Sequence, residues 1–161
     1  MSTVAINEWI YLFNSAFDGR WQSVLKNLES VTSDEWSVVP EGGVRSIRDI
    51  VAHIGMFKFM YPTAAFRGRE FDYGEDPATP PEERLATKDA AITWLKQAQE
   101  YLLESVATMS DDSELDELRP AHWGEPLSTR VLMSIVLEHD TYHAGEINRG
   151  RALLQGNDGF E

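Results

Sequence analysis

Three of the chain's four histidines are spaced for coordination chemistry. His139 and His143 stand four apart in the stretch EHDTYHAGEI, residues 138–147, and Glu146 follows three residues later. On a helix, residues three and four apart are neighbours on one side, roughly 6 Å between Cβ atoms. Two imidazoles so placed can take two adjacent positions on one cation. His53 lies in another apolar stripe, three after Ile50 and four before Phe57. A lone core histidine is usually a satisfied hydrogen-bonder, and the HxxxH spacing alone is a weak signal. The combination is stronger. Burying three imidazoles without partners is costly. One divalent ion satisfies all three and leaves positions for water or substrate. Nitrogen ligands suit zinc or nickel, and also copper or iron.

A zinc-protease reading does not fit. The stretch His139-Asp140-Thr141-Tyr142-His143 is HDxxH, not HExxH, and Asp140 is one methylene short of the usual general base. No histidine follows His143, so the third partner must lie upstream, and His53 is the core-striped candidate. His122, among turn residues in AHWGEP, reads as a solvent-exposed loop histidine, with a place at the site mouth as the alternative. Glu146 and Asp140 are the catalytic candidates, as acid–base groups or as partners of the ligands. The competing reading for each is a helix-surface charge, and for Asp140 that reading is the favoured one.

Helices must position these groups, and helical periodicity dominates the chain. From Val4 to about Ser30 the apolar stripe is Ile6, Trp9, Ile10, Phe13, Phe17, Trp21, Val24, Leu25 and Leu28, weakened at Gly19. Residues 33–36 read as a short capped turn, and Pro40, Gly42 and Gly43 mark a loop. Ser46 opens a second helix, with Asp49 placed for a capping box. Residues 68–86 form a polar, proline-rich connection that could cover the site mouth or be a solvated linker. Thr87 caps a third helix through Val106, and Ser128 caps a fourth that Gly156 stops. No alternating strand pattern appears. The expectation is all-α: a single four-helix bundle, one domain over residues 1–161.

Composition narrows the partners. The chain has 161 residues and a formal charge of −13, which disfavours nucleic acid and anionic membranes but attracts cations. It contains no cysteine, so any thiol in its chemistry must come from outside. The first residues, MSTVAINEWIYLF, read as the start of a helix and not as a signal peptide. No apolar run is long enough to span a bilayer, and the expected compartment is the cytoplasm.

Two stretches carry a family resemblance. SDEWSVVPEGGVRSIRDIVAHIGMFKFMY and LSTRVLMSIVLEHDTYHAGEI resemble the turn, loop, second helix and last helix of the DinB-like family. Proteins of that family are described with the bacillithiol and mycothiol S-transferases. The resemblance implies a four-helix bundle of unusual handedness, often a homodimer, with a metal on His53, His139 and His143. Glu146 stands where glutamine is common in the family, so it could add a ligand or serve as a base. The implied reaction is metal-dependent transfer of a low-molecular-weight thiol to an electrophile. A metal-dependent hydrolase and a non-catalytic metal-binding stress protein are the alternatives. Phe57, Tyr61, Trp94 and Trp123 are candidate pocket aromatics, each also readable as plain packing.

Overall fold

The computed structural model describes residues 2–70, 72, 80, 82–157 and 159. Among these it contains six α-helices, a 3-10 turn and one two-stranded sheet. Local chemistry sets most helix ends. Helix α3, Ile47–Arg67, begins at a complete capping box: the Ser46 hydroxyl accepts from the Asp49 N–H, and the Asp49 carboxylate accepts from the Ser46 N–H. Helix α5, Lys88–Val106, begins where Thr87 accepts from the Ala90 N–H. Helix α6, Thr129–Gln155, begins at Ser128 and stops at Gly156, whose φ of 71° suits a residue without Cβ.

The first stripe is not one helix. It divides into α1, Val4–Asp18, and α2, Val24–Leu28. The Ser23 hydroxyl donates to the Gly19 carbonyl and accepts from the Lys26 N–H, so one side chain closes the break and caps the next helix. Trp21, read as part of the stripe, is consequently 70% exposed. A short α4, Glu82–Leu85, precedes α5. Part of the 68–86 connection, namely 71, 73–79 and 81, lies outside the described residues.

Helix dominates, as expected, but a hairpin precedes α6. Strand β1, Leu118–Ala121, pairs antiparallel with β2, Gly124–Ser128, in the register Leu118↔Ser128 and Arg119↔Leu127. Most of the hairpin's residues are exposed, and the inward positions of β1 are Arg119 and Ala121, so no apolar alternation marks it; Pro120 sits at an irregularity in the ladder.

Helices α3 and α6 run antiparallel. Gly150 lies against Ile47, His143 beside His53, and Leu132 packs with Ala65. Two large apolar clusters fill most of the interior, beside a small one of Ala65, Ala121 and Leu132. One joins α2 with Ile47–Ile54 of α3, Ala91–Ala98 of α5 and Ala144 and Ile147 of α6. The other joins α1 with Met60 and Tyr61 of α3, Leu102 and Val106 of α5 and Met133 and Val136 of α6. Between them sits a buried polar network. Lys58 Nζ pairs with Asp140 Oδ2, donates to Gln99 Oε1 at 2.7 Å and lies 5.1 Å from the Phe17 ring centre. Lys58 and Asp140 are 1% and 0% exposed. Among the described residues, no helix is long and apolar enough to cross a membrane.

Candidate metal centre

Helix α3 brings His53 to the site about two turns from its cap, and α6 brings His139 and His143 from adjacent turns of one face. One ligand atom from each ring can be chosen so that all three lie within 4.8 Å of one another. The Nε2 atoms of His53 and His139 are 3.2 Å apart. Two nitrogens bound tetrahedrally at about 2.0–2.1 Å to one zinc would lie about 3.3 Å apart, so this pair already has ligand spacing. Ring centres are 4.9 Å apart for His53–His139, 4.7 Å for His53–His143 and 4.3 Å for His139–His143. The donor set, three imidazoles and no thiolate, fits a divalent ion of borderline softness.

The surroundings favour the neutral form of the His53 and His139 rings, which is the ligating form. Burial pushes the His139 imidazole down to about 3, and repulsion from His143, His53, Lys58 and Arg45 adds to it. Burial lowers His53 as well, helped by His143 and Arg45 and opposed by Glu146. Phe57, one turn along α3 from His53, stacks on His139 with centroids 4.3 Å apart and planes 18° from parallel.

His143 is held from behind. Its Nδ1 lies 2.7 Å from Glu146 Oε2, so the carboxylate favours the tautomer with hydrogen on Nδ1 and a lone pair on Nε2. Glu146 in turn accepts from Arg45 Nη2 at both oxygens, at 2.8 and 2.9 Å. Both carboxylate oxygens are therefore engaged.

Asp140 is not the helix-surface charge that its acidity favoured. It is fully buried against Lys58, because position 140 falls four after Val136 and three before His143 on the inward face of α6. Its Oδ1 has no hydrogen-bond partner among the described residues. Burial raises its carboxyl, and Lys58 opposes that shift.

His122 is exposed, in the turn of the hairpin. It is not isolated: its ring centre lies 5.4 Å from Tyr61, 4.6 Å from Trp123 and 6.3 Å from Phe57. Phe57 thus separates it from His139. Of the four candidate pocket aromatics, Trp94 is core, 1% exposed and packed on Gly55. Phe57, Tyr61 and Trp123 form the row between the histidines and the hairpin.

Sequence reasoning missed Arg45 and Lys58. Arg45 is a loop residue whose partner lies 101 positions away, and nothing local marks the pairing. Lys58 did carry a signal, a lysine four after Ile54 and three before Tyr61 on the buried side of α3.

A sequence model of one protein family, the DinB superfamily, matches residues 16–147. No protein of curated function matches the chain.

Proposed function

The chain belongs to the DinB superfamily, and from that premise we propose that it is a divalent-metal protein acting as an S-transferase on a low-molecular-weight thiol. In this reading α1, α3, α5 and α6 are the family's four-helix bundle, one domain over residues 1–161, and two copies pair as a homodimer. The observation that supports it is the convergence of three imidazoles from two helices, with one ligand atom of each within 4.8 Å of the others. His53, His139 and His143 would hold zinc or nickel. When bound, the ion supplies Lewis acidity that makes a coordinated thiol or water acidic near neutral pH. The protein's own part is positional. Glu146 keeps the Nδ1 proton on His143, and Phe57 covers one face of His139. His53 and His139 are only partly buried, which leaves the cluster reachable by small molecules. The chain has no cysteine, so the reacting sulfur belongs to the substrate.

The test uses tag-free protein reconstituted with zinc or nickel. Bacillithiol, mycothiol and glutathione are each offered with a chlorinated aromatic electrophile. The thiolate sulfur bonds to carbon, chloride leaves, and the thiol proton goes to buffer. We expect saturable, metal-dependent thiol consumption with one of the three, absent from His53→Ala. Ester turnover without added thiol would replace this reading with a hydrolase. Stoichiometric metal with neither activity would replace it with a non-catalytic metal-binding protein.

A further inference from the structure

We propose that Arg45 is a positioning residue of the metal centre, acting through Glu146 on His143. The proposal rests on the reading of the three histidines as ligands. Arg45 leaves the loop at a fixed point. Its neighbour Ser46 is pinned by the capping box, and the loop before it is closed by the Gly43 N–H, which donates to the Pro40 carbonyl at 2.8 Å. Gly42 takes a φ of 75° there, a conformation that suits glycine. From this point a single guanidinium nitrogen reaches both oxygens of Glu146. One of those oxygens also accepts from His143 Nδ1.

Glu146 needs that clamp. Glu146 and Arg45 both line a cavity of about 300 Å³ that is open to water, together with Gly43, Val44, Arg149 and Leu153. The Glu146 side chain is 26% exposed, so water competes with His143 for the carboxylate. By bonding both oxygens Arg45 limits the swing of the carboxylate away from the imidazole, and its positive charge offsets that of the anion. His143 then keeps hydrogen on Nδ1 and its lone pair on Nε2. Partners that orient a ligand in this way are typically worth 10–100-fold in metal affinity.

Two measurements test this. In metal-free protein, nitrogen-15 shifts of the imidazoles report the His143 tautomer. We expect wild type locked with hydrogen on Nδ1, Arg45→Met mixed, and Arg45→Lys largely restored. In cobalt(II) competition against a chromophoric chelator, we expect Arg45→Met and Glu146→Ala each to bind about tenfold more weakly. The double variant should bind no more weakly than Glu146→Ala alone. Full affinity in Arg45→Met would overturn the proposal, as would an equal further loss when Glu146 is already absent, which marks a merely structural loop residue. If wild type takes up no cobalt, the ligand reading fails by itself. An unchanged tautomer in Arg45→Met would then still refute the role of Arg45.

Discussion

Lys58→Met separates the buried network from the apolar packing around it. The substitution keeps an unbranched stem beside Phe17 but removes the cation from Asp140. Asp140 is 0% exposed and its Oδ1 already has no partner among the described residues, so loss of Lys58 leaves the carboxylate without compensation. Gln99 loses its bond to the ammonium in the same step. Breaking a buried ion pair from one side costs about 3–5 kcal/mol. The orphaned Oδ1 and the second lost bond place this variant in the upper half of that range. At roughly 2–4 °C per kcal/mol for a domain of this size, the melting temperature falls by about 8–20 °C. The assay is urea unfolding of metal-free protein, followed by circular dichroism. Acid should narrow the gap to wild type between pH 7 and pH 5. Burial raises the Asp140 carboxyl, and the charge and hydrogen bond of Lys58 are the main influences that oppose that rise, so their loss lets it go further. The folded variant then binds a proton that the unfolded chain releases, so its relative stability rises as pH falls. Lys58→Met/Asp140→Leu, which removes both charges, should recover most of the loss. A single variant within about 1 kcal/mol of wild type, or a double variant worse than the single, refutes the reasoning.

Elemental analysis of tag-free protein should find near-stoichiometric divalent metal in wild type, most of it lost in His53→Ala and His143→Ala and retained in His122→Ala. Metal-free wild type should gain stability as pH rises from about 3 towards the ordinary histidine value of 6.5. The folded His139 titrates near 3, so over that window the unfolded chain binds the extra proton. His139→Leu should flatten that slope in denaturant titrations across pH. Gly55→Ala should destabilise by about 1–3 kcal/mol, because a Cβ there would sit 2.2 Å from the Trp94 ring. Gly145→Ala, with no atom within 4 Å of the added carbon, should stabilise α6 by up to about 1 kcal/mol in the same unfolding assay.

The histidine cluster was legible because its signal is periodic: each imidazole occupies an inward position of a strongly patterned helix. The caps at Ser46, Thr87 and Ser128 were legible because capping is local chemistry within four residues. The break after Asp18 was not. Gly19 weakened the stripe, but the sequence pattern did not show that it turns extended there or that the hydroxyl of Ser23 closes the break. The hairpin was hidden because its strands lie mostly in water and carry no alternation. Arg45 was hidden for a different reason: its role exists only once α6 is folded back beside the loop that precedes α3. Asp140 shows a reading of type prevailing wrongly over position, since its inward register was in the sequence while acidity suggested the surface.

Two consecutive turns of α6 carry His139, Asp140, His143 and Glu146, and they answer to α3 and the loop before it: His139 and His143 to His53, Asp140 to Lys58, Glu146 to Arg45. Sliding that helix by a single residue would uncouple every one of these partnerships together. Misalignment therefore has no half-measure in this protein. The histidine cluster and the helix packing share one alignment mark.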